Sequence, residues 1–139
     1  MNAVQKVDLD FQEIKGRLEE AELPEVDLVV GIHSGGKVPA SLAAWKTGSP
    51  LAMIHINYRD ESNTPRYEEP QLLKEIKIDQ QVKKILLVDD VAVTGKTFAL
   101  AKSQLEGYDI TTLAMKGKAG KADILLFPEI RTCVNWPWN

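Results

Sequence analysis

Residues 85–97 read Ile-Leu-Leu-Val-Asp-Asp-Val-Ala-Val-Thr-Gly-Lys-Thr. The apolar run from Lys84 to Val88 is continuous rather than alternating, which marks a strand buried on both faces, as in a parallel sheet. Two adjacent carboxylates, Asp89 and Asp90, follow where the strand is expected to end, so both are free to bend toward one ligand. The Thr94-Gly95-Lys96-Thr97 turn then opens a helix whose apolar spacing runs from Phe98 to Leu105 and stops before Gly107. Paired carboxylates accept hydrogen bonds from vicinal sugar hydroxyls, directly or through a hydrated Mg2+. The turn adds backbone N–H groups, two hydroxyls and the positive end of a helix, which together cradle a phosphate. A diol site beside a phosphate site describes a ribose phosphate; the plainer reading of the same residues is a capped helix after a strand with two solvated acids. A nucleotide P-loop needs Gly five residues before Gly95, and position 90 is Asp, so Gly95-Lys96-Thr97 is half of that motif. No G-x-G-x-x-G occurs in either glycine loop, which removes the dinucleotide fingerprint.

The same strand, loop and helix order appears earlier in the chain. Residues 27–32 (DLVVGI) lead into His33-Ser34-Gly35-Gly36, a helical pattern follows from Pro39 to Trp45, and Gly48 stops it. Residues 8–23 read as an amphipathic helix capped by Asp8 or Asp10 and ended by Pro24. Residues 51–56 form another strand, and its connection, 57–70 (NYRDESNTPRYEEP), is long, charged and proline-bearing. Loops of that length in a compact domain are more often lids than linkers. A short strand is expected within 72–78, and further strands at 110–115 and 124–127, separated by the lysine- and glycine-rich 116–121. Strands alternating with helices predict an α/β fold with an open, mostly parallel, doubly wound sheet. Ligands of such sheets bind outside the carboxyl ends of the strands, which selects the loops 33–37, 57–70 and 89–97.

Composition bounds the partners. The 139 residues, 44% hydrophobic and 27% charged, suit one globular domain spanning 1–139 that buries about two thirds of its unfolded surface. Seventeen Lys and Arg against twenty Asp and Glu give a net charge of -3, which argues against a protein that coats nucleic acid. The lone Cys133 excludes an internal disulfide, and no apolar run approaches a membrane span or a signal-peptide core. A cytoplasmic protein is expected. Cys133 reads as a small buried residue, Trp45 as core packing within an apolar helical stripe, His55 as a core or rim histidine, and Lys118 and Lys121 as a solvated loop. His33 stands in the glycine loop, within reach of a ligand.

The stretch 85–97 resembles the phosphoribosyl diphosphate signature of type I phosphoribosyltransferases, and the likeness extends from about residue 28 to 138. The resemblance implies that Asp89 and Asp90 hold the ribose 2- and 3-hydroxyls and, with them, Mg2+ bound through water or the ribose diol. It implies that Val93, Thr94, Gly95, Lys96 and Thr97 hold the 5-phosphate. Residues 31–44 (GIHSGGKVPASLAA) are similar to the pyrophosphate loop of the 6-oxopurine members, implying roles for Ser34, Gly35, Gly36 and Lys37. A strained Ser34–Gly35 peptide is a family feature to be checked. The lid would offer Tyr58, Arg59 and Arg66. Lys116 stands where purine-specific members hold the exocyclic 6-oxygen, and residues 132–139 (TCVNWPWN) resemble the tail of the bacterial xanthine-guanine enzymes. In that match Val134 offers backbone groups to the purine edge, Trp136 or Cys133 stands at the wall against which the base stacks, and the segment forms a small C-terminal hood. Trp136 and Trp138 have an equally simple structural role, docking the tail.

The implied reaction transfers ribose 5-phosphate from phosphoribosyl diphosphate to a purine base, releasing pyrophosphate, in purine salvage, with Mg2+ as cofactor. Family members commonly form homodimers or homotetramers. Two positions depart from the family pattern. Position 93 is Val where the 6-oxopurine enzymes place a proton-accepting Asp, and position 34 is Ser where the pyrophosphate loop usually carries Arg or Lys. The alternatives are a phosphoribosyl diphosphate sensor without turnover, an enzyme for another heterocycle such as adenine, uracil or a pterin-like ring, and a structural adaptor domain.

Overall fold

A computed structural model describes residues 7–33, 35–57, 71–74 and 78–138, with backbone alone at 57 and 71–74. Along the chain, β1 (Val7–Asp8) and α1 (Phe11–Glu20) lead to β2 (Leu28–His33), α2 (Lys37–Thr47), β3 (Leu51–Asn57) and β4 (Gln71–Lys74). The second half holds β5 (Lys84–Ala92), α3 (Lys96–Ser103), β6 (Asp109–Gly117), β7 (Ile124–Leu125) and β8 (Val134–Asn135). Six strands form one sheet in the order β4-β3-β2-β5-β6-β7. Only the β3–β4 pair is antiparallel. The open, mostly parallel sheet expected from the sequence is present.

The side-chain alternation of β5 explains why helices cover both faces. Leu86 and Val88 join a buried cluster with Ile14 and Leu18 of α1, Ala40 and Ala43 of α2, and Leu113 and Met115 of β6. Ile85 and Leu87 join a second cluster with Val30, Ile32, Ile54, Phe98, Ala101 and Leu105. Successive residues of a strand serve opposite faces, so a run with no polar residue needs two apolar layers.

Several boundaries differ from the sequence reading. Asp10, not Asp8, caps α1, its carboxylate accepting the Glu13 N–H at 2.8 Å, and the helix ends at Glu20, short of Pro24. α2 starts two residues early, at Lys37, because the Gly35-Gly36 turn leads straight into it; Gly48 at φ 70 closes it as expected. β5 does not end at Val88 but carries Asp89 and Asp90 on to Ala92, because its ladder with β6 continues through Asp89↔Ala114, Val91↔Lys116 and Ala92↔Gly117. β7 ends at Leu125, although Leu126 and Phe127 still donate to Ala114 and Met115 at 3.0 and 2.7 Å. Trp45 is 66% exposed rather than packed inside. α2 buries only its small face of Pro39, Ala40, Ala43 and Ala44, and the ring of Trp45 lies outside under the Lys15 ammonium.

The C-terminal segment is tied to the other end of the chain. β8 pairs in parallel with β1 in a separate two-stranded sheet, so the hood takes a strand from each terminus. Arg17 clamps it further: the guanidinium donates to the Leu126 carbonyl at 2.7 Å and grips both Glu129 oxygens at 2.9 and 2.7 Å. Among the described residues, no helix is long and apolar enough to cross a membrane.

Candidate active site

The two helices that follow the neighbouring strands β2 and β5 begin at glycines, which offer no capping side chain, and at the start of α3 the Thr94 hydroxyl takes the Lys96 N–H. α2 starts after Gly36 and α3 after Gly95; neither N-cap makes a side-chain hydrogen bond, and neither first turn holds an acidic residue. α1 is built the other way, with Asp10 as cap and Glu13 in its first turn. The leading N–H groups of a helix lack intrahelical acceptors and carry the positive end of its dipole, so an uncapped start favours an anion. Because β2 and β5 are parallel, both starts open on the carboxyl edge of the sheet.

The loop before α2 runs where no side chain fits. A Cβ at Gly36 would stand 2.6 Å from the Val88 carbonyl oxygen and 2.7 Å from that of Ile32. A Cβ at Gly35 would stand 2.5 and 2.7 Å from the two carboxylate oxygens of Asp90. The Gly36 N–H donates to the Ile32 carbonyl at 2.8 Å, closing the turn. The glycine pair therefore lets the backbone of one loop lie directly against the acid of the next.

Asp89 is buried and Asp90 half-buried, within the last four residues of β5. Asp89 Oδ1 accepts the Asp90 N–H and Asp90 Oδ1 accepts the Val91 N–H, each at 2.8 Å. These bonds anchor each carboxylate to its own backbone. In the turn that follows, Thr94 Oγ1 accepts the Lys96 N–H at 3.2 Å and Gly95 adopts the left-handed φ of 81°. Thr94 and Lys96 are exposed and Thr97 half-buried, while Val93 presents an apolar side chain that is 38% exposed.

On the other side, Lys116 near the end of β6 donates its ammonium to the Thr132 carbonyl at 2.5 Å. The Cys133 and Asn135 carbonyls accept from Val7 and Leu9 at 2.8 and 3.4 Å. Backbone groups alternate direction along a strand, so the N–H and C=O of Val134 face the opposite edge. Trp136, expected as a possible wall of the base site, is 6% exposed. It is packed in the core and stacked on Trp138 at 5.1 Å with rings 6° apart. Its ring docks the tail, because Trp138 in turn meets Phe11 of α1. Cys133 is exposed, not buried: its backbone pairs with β1 while the thiol stays outside.

His33 and His55 are register partners on β2 and β3, and their rings meet at 4.6 Å. Their pairing across β2 and β3 has no signal in the sequence, where 22 positions separate them. Lys37 is the first residue of α2 and exposed. Ser34, with its peptide to Gly35, and Tyr58, Arg59 and Arg66 lie outside the described residues.

Residues 13–123 match the family model described as phosphoribosyl transferase domain. Among solved structures, the purine phosphoribosyltransferase from Pyrococcus horikoshii is 23% identical with a TM-score of 0.78, covering 96% of this chain and 94% of that one. The xanthine-guanine-hypoxanthine phosphoribosyltransferase of Helicobacter pylori is 16% identical, with a TM-score of 0.76 and the same coverage. A hypothetical protein from Neisseria gonorrhoeae with bound ppGpp is 18% identical, with a TM-score of 0.70 over 100% of this chain and 92% of that one. These likenesses agree in fold, and the family match spans most of the chain: it belongs to the phosphoribosyl transferase domain family, whose enzymes are pentosyltransferases.

Proposed function

We propose that this protein transfers ribose 5-phosphate from phosphoribosyl diphosphate to a 6-oxopurine base, forming a nucleoside monophosphate and pyrophosphate. The observation that carries this reading is the meeting of two glycine-led helix starts, neither with an acid in its first turn, with an acid pair on one sheet edge. The donor substrate has one anion at each end and a diol between them. The N–H groups of Gly35 and Lys37 serve the diphosphate, the turn 93–97 serves the 5-phosphate, and Asp89 and Asp90 accept from the ribose hydroxyls. The choice of a 6-oxopurine rests on Lys116, whose ammonium lies beside the strand carrying Val134, a cation for the exocyclic oxygen next to backbone groups for the ring edge.

In the reaction the purine nitrogen bonds to C1 as the C1–O bond to pyrophosphate breaks, and the leaving group departs with the electron pair. Fixed N–H dipoles at the start of α2 stabilise the charge that grows there. Val93 accepts no proton, so the purine's ring proton passes to water. Asp89 and Asp90 are hard oxygen donors that suit Mg2+, and among the described residues no third acid, His or Cys joins them in a cluster. They fit an ion held chiefly by water and substrate oxygens rather than by a protein cage. When bound, Mg2+ neutralises charge on the departing pyrophosphate. A lid over this edge, with Tyr58, Arg59 and Arg66, would keep water from the activated sugar.

Pyrophosphate release tests the proposal, with Mg2+, phosphoribosyl diphosphate and one base at a time from guanine, hypoxanthine, xanthine, adenine, uracil and orotate. Turnover with a 6-oxopurine is expected. Turnover with adenine or a pyrimidine alone overturns the base assignment. Binding of phosphoribosyl diphosphate with no turnover on any base supports a sensor, the reading that Val93 favours.

A further inference from the structure

We infer that Lys121, from the connection between β6 and β7, is a further phosphate-binding residue that clamps the 5-phosphate against the turn 93–97; the inference rests on the site reading above. The connection is built onto that turn. Gly117, the last residue of β6, presses so closely on the Ala92 carbonyl that a Cβ there would collide with it. The next residue, Lys118, donates its N–H to the same carbonyl oxygen at 2.8 Å. The loop thus leaves the sheet bonded to the residue immediately before the phosphate turn. It folds back at Gly120, with φ at 84°, and the Lys121 N–H closes it on the Lys118 carbonyl at 3.1 Å. Beyond the turn, the Asp123 carboxylate accepts the Thr112 N–H and hydroxyl at 2.8 and 3.1 Å, and Thr112 Oγ1 accepts the Asp123 N–H at 2.8 Å. Both ends of the loop are therefore fixed to the sheet.

The result is a contact across 26 positions of sequence between residues 95 and 121. The Lys121 Cδ lies 3.5 Å from where a Cβ of Gly95 would stand, and among the described residues no other side chain beyond the chain neighbours comes within 4 Å of that point. The lysine stem crosses the open face of Gly95, and the ammonium is two bonds further on. Among the described residues, Lys121 forms no ion pair. An ammonium without a carboxylate, beside the glycine-led start of α3 with no acid in its first turn, adds three donors at the positive end of that helix. Lys116, one residue before the end of β6, leads into this connection, so residues 116–121 would meet both ends of the proposed product, base and phosphate.

The test is calorimetric titration with ribose 5-phosphate, ribose and pyrophosphate. It compares wild type, Lys121→Met, which keeps the stem over Gly95, Lys121→Arg, which keeps the charge, and Lys102→Met on the far end of α3 as control. Lys121→Met is expected to bind ribose 5-phosphate about five- to thirtyfold more weakly, the range for losing a partly screened charged hydrogen bond. Pyrophosphate binding should hold within about twofold, and Lys121→Arg should recover most of the loss. In turnover the change should fall on KM for phosphoribosyl diphosphate and leave kcat, because the 5-phosphate does not react. Equal binding of ribose 5-phosphate by wild type and Lys121→Met overturns the inference while leaving the site intact. Failure of wild type to bind ribose 5-phosphate at all overturns the site reading, and this inference with it.

Discussion

The carboxylate of Asp90 lies flat against the α-carbon of Gly35, its two oxygens 2.5 and 2.7 Å from the position of a Cβ. The Gly35-Gly36 loop and the acid pair are thereby packed directly on each other. Gly35→Ala places a methyl group inside the Asp90 carboxylate and must rotate it away. The added carbon is expected to cost about 1–3 kcal/mol of stability, as in other overpacked sites. The larger effect is on function, a fall of at least about tenfold in kcat/KM for phosphoribosyl diphosphate, since a small misplacement of a binding group costs that much. Thermal melts with steady-state kinetics separate the two. A variant with full activity would show that the contact positions nothing.

That contact was half legible in the chain. Asp89-Asp90 and the Gly35-Gly36 pair stand out as residue types, and the parallel order of β2 and β5 follows from the strand and helix pattern. Their mutual approach is a property of backbone spacing that no periodicity carries. The end of β5 escapes the sequence for a related reason: acids disfavour a strand by composition, but the ladder to β6 outweighs that preference. β1 and β8, two residues each, are too short for any alternation to show. The apolarity of Trp45 and Cys133 points inward, but the small face of α2 and the edge pairing of β8 leave both exposed. The stem of Lys121 over Gly95 had no sequence signal at all, being set by the closed turn at Lys118–Lys121.

The Arg17–Glu129 pair ties α1 to the C-terminal segment, and its pH dependence has a defined sign. Arg17 hydrogen-bonds the Glu129 carboxyl and, with a backbone N–H, lowers its pKa to about 2. A folded pKa below the ordinary value means stabilisation that is complete above about pH 4.5 and is lost as pH falls toward 2. The Glu129 side chain is 55% exposed, so the contribution is under about 1 kcal/mol. Melting temperatures of wild type and Glu129→Gln should differ by a constant amount from pH 8 to about 5 and converge below about pH 4. Asp27, lowered by the N–H groups of Lys84 and Lys83, adds to the acid sensitivity of both proteins in the same direction. A gap that widens on acidification would contradict the pair's role.

Trp136 is a core residue of the hood. Trp136→Ala should cost about 3–5 kcal/mol, the range for emptying a buried aromatic site. Trp136→Phe should keep the base preference of wild type, because the indole is buried and stacked on Trp138. Guanidinium unfolding measures the first and relative kcat/KM across bases the second. A changed base preference in Trp136→Phe, with stability retained, would return the ring to the base site.

The central claim is that the acid pair and the two glycine-led helix starts together hold phosphoribosyl diphosphate. Its most direct measurement is calorimetric binding of that compound, with Mg2+, to wild type and to Asp90→Asn. The account predicts saturable binding by wild type and at least about tenfold weaker binding by the variant, the scale of losing charge-assisted hydrogen bonds to the ribose. Equal binding by the two proteins, or none by wild type, would contradict it.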